Sequence, residues 1–275
     1  MTRSCRRAFS APRHRRRICL SADPPLTAVS SQSCLPAIFG RFRNVTAASF
    51  NQRVGAALAP LANAEKAVAM RAYMRDQFDY LGVPTPQRRA AVLPILRELK
   101  GVDAARLIEL AEGLWTLPQR EYQYVAVDLL ARHWKALTLE QLPALLSLAQ
   151  RKSWWDSVDG LAGVVGDVVR ADRKHDPACQ IHMDRALGHE NLWVRRIAML
   201  HQLGWRDETD VPRLFRHARE LAPETDFFIR KAIGWALRDY AWHDPQAIRQ
   251  FLDEMRDVLS PLSVREAGKN LSRLG

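Results

Sequence analysis

Apolar residues recur every three or four positions along most of the chain after Pro60, and this spacing gathers them on one face of an α-helix. No stretch of useful length alternates apolar and polar residues, which is the pattern of a half-buried β-strand. The spacing therefore predicts an all-α protein. It predicts helices over residues 63–79, 86–99, 103–113, 119–135, 139–149, 153–171, 176–187, 191–203, 209–220, 226–240, 244–258 and 262–272.

Three tryptophans, Trp155, Trp193 and Trp235, lie early in the second helices of successive helix pairs, 38 and 42 residues apart. This interval is typical of HEAT-like repeats of about 40 residues. In such repeats, antiparallel helix pairs stack into a helical-repeat solenoid with a concave face. We expect this domain to span residues 59–275, with an irregular helical bundle as the alternative.

The segment 1–58 differs from the rest in composition. Residues 1–50 contain nine arginines and one acid, a net charge of +8, so only +3 of the chain's formal +11 belongs to the remainder. We expect a basic, disordered extension over 1–58. We favour a wrongly assigned start as its origin, and an organellar transit peptide or a phosphate-binding arm are the alternatives. The segment lacks the apolar run and cleavage site of a secretory signal, which argues against export.

Two further properties exclude function classes. No apolar run approaches the length that a membrane span needs. Three of the four cysteines lie within the first 34 residues, which leaves only Cys179 in the periodic region. We therefore expect no membrane association, no disulfide framework, no metal site and no other cofactor.

The predicted helix 153–171 carries the most informative pattern. Ser153 and Asp156 have the spacing of a capping box, which favours a structural role for Asp156. One stripe of this helix is predicted to pack inward, and it consists of Trp154, Val158, Leu161, Val165 and Val168 or Val169. The adjacent stripe predicts the floor of a cleft, with a ring and a carboxylate one turn apart above small residues: Trp155, Asp159, Ala162 and Gly166. An ion pair between Asp159 and a neighbouring helix is the alternative.

Cations on two later helices are candidate partners. Arg196 aligns with apolar positions of helix 191–203, so it needs an anion, either Asp159 or a DNA phosphate. On helix 226–240, Lys231 and Arg238 share a side with Trp235, and Gly234 permits close approach of another helix. A ring flanked by cations suits a polyanionic backbone. A solvated basic face with a buried tryptophan is the alternative.

Several segments together resemble the AlkD-type DNA alkylation repair glycosylases, a family of HEAT-like repeat proteins. They occur in the family's order and near its spacing, and they are Tyr73 to Phe78, Leu81-Gly82-Val83, Thr85-Pro86, Arg88-Arg89, Ser153 to Asp159, Trp193 to Arg196, Phe227 to Tyr240 and Leu259 to Ser263. The resemblance begins near residue 60, so the first fifty residues have no counterpart.

The resemblance implies an enzyme that removes purines alkylated at N3 or N7, such as 3-methyladenine and 7-methylguanine, from duplex DNA on a concave basic surface. It implies that the lesion stays stacked, without required base flipping. It assigns Asp159 as the catalytic carboxylate, which would stabilise an oxocarbenium-like sugar. Trp155 and Trp235 would pack on the deoxyribose. Arg196 matches the motif arginine, with Arg195 as the fallback.

The resemblance also assigns Tyr73 and Arg238 to DNA binding, the pattern of helix 226–240 adds Lys231, and we expect Arg195 to bind DNA as well. We expect a monomer in the bacterial cytoplasm, associated with the nucleoid through DNA, with organellar targeting as the alternative. A non-catalytic HEAT-like module that binds DNA or a protein is the main alternative function. A repeat protein directed at single-stranded RNA is another.

Overall fold

The computed structural model describes residues 45–269 and residue 271, and this part of the chain is all-α. Its helices are α1 (Ala47–Leu58), α2 (Ala64–Tyr73), α3 (Thr85–Glu98), α4 (Ala104–Thr116), α5 (Arg120–His133), α6 (Leu142–Ala149), α7 (Trp155–Asp172), α8 (Ile181–Leu187), α9 (Leu192–Leu200), α10 (Val211–Leu221), α11 (Phe227–Tyr240), α12 (Pro245–Glu254) and α13 (Pro261–Gly268). None of the described helices is both long and apolar enough to cross a membrane.

The helices form two layers. In one, which we call the inner layer, α3, α5, α7, α9, α11 and α13 pack side by side in chain order. In the other, α4, α6, α8, α10 and α12 each cover the following or preceding inner helix. This stack of helix pairs confirms the predicted helical-repeat architecture. The outer layer covers only one face of the inner layer and leaves the other face uncovered.

The first helix is where the predicted domain boundary is wrong. The predicted disordered extension 1–58 includes α1, whose N-terminus is capped by the Thr46 side chain. Phe50, Val54 and Leu58 follow one face of α1 and are fully buried against α3 and α4. The arginine-rich stretch before α1 obscured this short apolar pattern. The predictions for residues 1–44 lie outside the described residues.

The second helix ends earlier than predicted. It was expected to continue to residue 79, but it ends at Tyr73. Arg75 and Asp76 then adopt φ angles of 55° and 57°, in the left-handed region that interrupts a helix. Neither residue is glycine, so the sequence carries no local signal of this break. The early end leaves Tyr73 at the end of α2, where 72% of it is exposed.

The core lies between the two layers. The inward stripe predicted for α7 is confirmed, since Val158, Leu161 and Val165 are fully buried. The adjacent stripe is not a cleft floor along its whole length. Ala162 is buried, and a Cβ on Gly166 would lie 2.0 Å from the carbonyl oxygen of His201, just after α9. These small residues instead let α7 and α9 pack closely.

Candidate active site

The start of α7 is held by a buried ion pair and not by the predicted capping box. Trp154 occupies the N-cap position without a side-chain hydrogen bond, and the Ser153 hydroxyl donates to a backbone carbonyl at the end of α6. The Asp156 carboxylate accepts hydrogen bonds from Arg120 at 2.6 and 3.0 Å and from the Tyr124 hydroxyl at 2.5 Å. Asp156 is therefore structural, as expected, but through helix α5.

Sequence reasoning missed Arg120, which is fully buried at the start of α5. A buried guanidinium must have its donors satisfied, and Arg120 also donates to the Lys152 carbonyl and the Ser157 hydroxyl. Its guanidinium carbon lies 3.8 Å from the centre of the Phe78 ring. These contacts fix the first turn of α7, which carries Trp155 and, one turn later, Asp159.

Asp159 and Arg196 form a two-pronged ion pair between α7 and α9. Arg196 donates from Nε and Nη2 to the two carboxylate oxygens at 2.7 and 2.8 Å, and its Nη1 donates to the Phe228 carbonyl. The Arg196 side chain is buried, whereas 21% of the Asp159 side chain is exposed. The anion that Arg196 requires is therefore Asp159 rather than a phosphate.

The surroundings of Asp159 act on its protonation in opposite directions. Burial raises the pKa of the Asp159 carboxyl above its usual value, and the nearby Asp156 charge adds to this effect. The hydrogen bonds and charge of Arg196 lower the pKa but do not offset the burial completely. The carboxylate is thus held in a fixed plane, poorly solvated and next to a cation.

Aromatic rings lie close to Arg196 and to Trp155 at the start of α7. The Trp155 ring meets the Tyr73 ring edge to face, with centroids 6.3 Å apart. The Arg196 guanidinium lies 5.3 Å from the centre of the Trp235 ring. The structure therefore brings Arg196 and Trp235 to Asp159, and it brings Tyr73 to Trp155, which lies one helical turn before Asp159 on α7.

A buried carboxylate on α13, Glu266, organises the cations near Trp235. It accepts hydrogen bonds from Lys231 at 2.9 Å, Arg238 at 3.1 Å, Lys269 at 2.7 Å and the Trp235 indole N–H at 3.3 Å. Burial alone would raise the pKa of Glu266, but the cations outweigh it and lower the pKa to about 2. Lys231 and Arg238 flank the Trp235 ring, but both are bound to the Glu266 carboxylate.

Sequence reasoning also missed Glu266, although Gly234 carried a partial signal. A Cβ at Gly234 would lie 2.4 Å from the Glu266 Cβ, so glycine is required for α11 and α13 to pack this closely. The prediction of a close helix approach is confirmed. The sequence could not identify the approaching helix, because no local pattern links the two segments.

Arg195 has a different environment from Arg196. It donates to both oxygens of Glu224 at 2.5 and 3.0 Å and to the backbone carbonyls of His189 and Glu190. These contacts connect the loop before α9 to the loop before α11. The structure therefore does not bring Arg195 to the Asp159 cluster.

A cavity of about 520 Å³ opens beside the cluster, between α2, α3, α5 and α7. Tyr73 and Trp155 form one side of it, and Tyr80 and Tyr124 form another, with their hydroxyls 3.1 Å apart. Burial raises the pKa of Tyr80 to about 12, so its hydroxyl remains protonated at neutral pH. The described residues include no group of three or more His, Cys, Asp or Glu side chains suited to a metal ion.

The fold and the site together define a class: an all-α helical-repeat protein with a carboxylate–arginine pair between neighbouring inner-layer helices and a tryptophan ring beside the arginine. A family model described as "DNA alkylation repair enzyme" matches residues 54–271. The chain therefore belongs to the DNA alkylation repair enzyme family, as its motifs indicated. A search of curated proteins found no match.

One solved structure gives the same assignment, and two others share the fold. A predicted DNA alkylation repair enzyme from Enterococcus faecalis is 34% identical, with a TM-score of 0.71 over 77% of this chain and 97% of that one. The protein smu.31 from Streptococcus mutans UA159 is 18% identical, with a TM-score of 0.54 over 80% and 98%. AlkD2 from Streptococcus mutans is 21% identical, with a TM-score of 0.50 over 64% and 86%. The last two likenesses show a shared fold alone.

Proposed function

We propose that this chain is a DNA glycosylase that hydrolyses the N-glycosidic bond of purines alkylated at N3 or N7, such as 3-methyladenine and 7-methylguanine, in duplex DNA. The observation that carries the proposal is the partly exposed Asp159 carboxylate, fixed by Arg196 next to Trp235 and one helical turn after Trp155. Membership of a DNA alkylation repair family supports the substrate class.

The chemistry requires little from the protein beyond this arrangement. Alkylation at N3 or N7 makes the purine cationic, so the bond from C1′ to N9 breaks with its electron pair going to the base, which leaves neutral. The sugar becomes an oxocarbenium ion, and a carboxylate next to it lowers the energy of that positive charge. Water then adds to C1′ and loses a proton. Asp159 stabilises the cation and orients this water.

The pairing with Arg196 leaves Asp159 able to act in this way. A carboxylate has about four lone-pair sites, and Arg196 occupies two of them. The exposed fraction of the side chain is available to the sugar. The faces of Trp155 and Trp235 provide apolar contact to deoxyribose and attract positive charge. We propose that Tyr73, Lys231 and Arg238 contact the adjoining DNA backbone.

The test is base release from methylated duplex DNA by the pure protein. We expect 7-methylguanine or 3-methyladenine to be released, and we expect Asp159→Asn to reduce the rate by about 10²-fold or more while DNA binding survives. Asp253→Asn, the same change at an exposed carboxylate on α12, is the matched control and should release base normally. Release of neither base by the unsubstituted protein would refute the glycosylase proposal.

One observation favours a second candidate, a non-catalytic HEAT-like module that binds DNA or a protein. The Asp159–Arg196 pair also serves as a structural link between α7 and α9, and a link of this kind needs no substrate. The two candidates differ in the Asp159→Asn variant. A non-catalytic module would show no base release in either form, and the substitution would change only its stability.

A further inference from the structure

The first turn of α5 contains a buried carboxylate that the proposed reaction does not use. This residue, Glu121, is fully buried. Its two carboxylate oxygens accept hydrogen bonds from three consecutive backbone N–H groups in the loop before α3, which are those of Leu81 at 2.9 Å, Gly82 at 2.8 Å and Val83 at 3.1 Å. A buried carboxylate requires such donors, because an unsatisfied buried charge is costly. Glu121 therefore fixes the loop to α5.

The same loop is bound to the start of α2. The Leu81 carbonyl accepts a hydrogen bond at 2.9 Å from the N–H of Asn63, which is the N-cap residue of α2. Gly82 has a φ of 82°, and a Cβ at this position would lie 2.0 Å from the Asn63 carbonyl oxygen. Loop and helix are thus in backbone contact, which a side chain at position 82 would prevent. This contact links Glu121 to α2.

Helix α2 is not held by the core. None of its residues is buried, and the chain is buried again only at Met74, directly after the helix. A segment with few buried apolar contacts has low local stability. Yet α2 ends in Tyr73, whose ring meets the ring of Trp155, and Met70 and Tyr73 form part of the wall of the adjoining cavity. The position of Tyr73 therefore depends on how the ends of α2 are attached.

Glu121 and its neighbour Arg120 act on both rings from the same turn of α5. The Arg120 side chain fixes the first turn of α7, which carries Trp155. Glu121 fixes the loop attached to α2, which carries Tyr73. The Arg120 N–H also donates to the Asp79 carbonyl at 2.8 Å, a few residues earlier in the same loop. One turn of α5 thus sets both sides of the contact between Tyr73 and Trp155.

We propose that Glu121 is a positioning residue, which fixes the loop 81–83, thereby sets the place of α2, and so keeps the Tyr73 ring against Trp155. The proposal rests on the proposed function in so far as Tyr73 contacts DNA. Glu121 is fully buried and does not touch the substrate. Its effect on base release is exerted through Tyr73.

Hydrogen exchange of the full chain tests the link without any substrate. In Glu121→Gln the side chain keeps its shape, but in either orientation its amide N–H₂ opposes a backbone N–H of the loop. We expect the amides of α2, residues 64–73, to exchange about 10-fold faster or more, while those of α7 and α9 keep their rates. Gly82→Ala breaks the same link from the side of α2 and should have the same effect, so it carries the test even where Glu121→Gln does not fold.

A variant that is destabilised elsewhere is the control for exchange. Leu148 is fully buried on α6, so Leu148→Ala lowers the overall stability without touching the loop or α2. Exchange in α2 that is unchanged in Glu121→Gln and Gly82→Ala, or no faster than in Leu148→Ala, would overturn the proposal.

Base-release kinetics separate positioning from a loss of folded protein. A smaller folded fraction lowers the apparent kcat and leaves KM unchanged, whereas a misplaced Tyr73 weakens DNA binding and raises KM. We expect Glu121→Gln to raise KM by about 10-fold at constant kcat, and we expect no further rise when it is combined with Tyr73→Ala. Glu109→Gln, at a half-exposed carboxylate on α4, is the matched control and should change neither quantity.

The two proposals fail in different ways. Additive increases in KM for the Glu121 and Tyr73 substitutions would mean that Glu121 does not act through Tyr73. Absence of base release by the unsubstituted protein would refute the glycosylase proposal alone, since the exchange experiment needs no substrate and still decides whether Glu121 fixes α2.

Discussion

Asp159 is a mostly buried carboxylate with a charged partner. Burial raises its pKa, and Arg196 opposes that rise through two hydrogen bonds. The result is a poorly hydrated carboxylate whose orientation is fixed before any substrate arrives. Such preorganisation strengthens the interaction with a developing positive charge, because neither solvent nor side chain has to reorganise.

The pH dependence of base release follows from this balance. If ionised Asp159 is required, the rate falls as pH falls through its pKa, and this acidic limb lies above the pKa of about 3.9 of a free aspartate. Arg196→Gln removes the group that lowers the pKa of Asp159, so the limb should move to higher pH. Single-turnover base release measured across pH checks this.

The adjacent arginine provides the control. Arg195→Gln changes the same residue type on the same helix, but Arg195 binds Glu224, so the acidic limb should stay in place. Arg196→Lys keeps a cation, so it should shift the acidic limb less than Arg196→Gln does. This difference distinguishes the loss of a charge from a loss of folding. If the acidic limb lay at the same pH in the Arg195 and Arg196 variants, Arg196 would not be the group that lowers the pKa of Asp159.

Neighbouring helices of the inner layer are cross-linked by charged side chains. These links are Arg120 with Asp156 between α5 and α7, Asp159 with Arg196 between α7 and α9, and Lys231 and Arg238 with Glu266 between α11 and α13. Each link is largely removed from water, so breaking one costs more than breaking an exposed pair. The links fix the register of each helix against the next.

The α11–α13 link gives a stability prediction. Because the folded-state pKa of Glu266 is lowered from 4.5 to about 2, its charge stabilises the fold above pH 4.5, and this contribution is lost as pH falls toward 2. Glu266→Gln should lower the free energy of unfolding by about 3 kcal/mol at neutral pH, and the difference should shrink on acidification. Urea unfolding at several pH values measures both effects.

An exposed glutamate makes a suitable comparison. Glu220→Gln on α10 removes a carboxylate that is half exposed and 3.6 Å from Arg216, and exposed pairs contribute little. We expect a change in the free energy of unfolding well under about 1 kcal/mol. If Glu266→Gln were as stable as Glu220→Gln, the α11–α13 link would not stabilise the fold.

At the scale of the whole molecule, the repeat stack explains how one site is built from distant segments. Inner-layer helices follow each other in chain order, so residues from α7, α9 and α11 become neighbours although about 40 residues separate them. The stack also explains why total charge is a poor guide. Residues 1–50 contribute +8 of the chain's net charge of +11, so the total net charge says little about the residues that follow.

The position of α1 in this stack can be tested in the full chain. Phe50 is fully buried, so Phe50→Ala should lower the free energy of unfolding by about 3–5 kcal/mol. Phe227→Ala, at a ring that is 52% exposed, should cost less than about 1 kcal/mol. Chemical unfolding of both variants checks this. Equal stabilities would mean that residues 47–58 are not part of the folded domain.

The sequence predicted the local features well because they depend on local periodicity. Twelve of the thirteen described helices were found from apolar spacing, and so was the buried stripe of α7. The two errors in helix assignment have local causes as well. Helix α1 is short and follows an arginine-rich stretch, and α2 ends at two left-handed residues that carry no glycine or proline signal.

The sequence by itself determined the helices, the inward faces and the family to which the motifs belong. Only the tertiary structure decided which charges meet: Asp156 with Arg120, Asp159 with Arg196, and Glu266 with the cations around Trp235. The physical reason is range. Helical periodicity is set within a few residues, whereas these partners lie about 30 to 40 positions apart, and their pairing depends on how far one helix slides along the next.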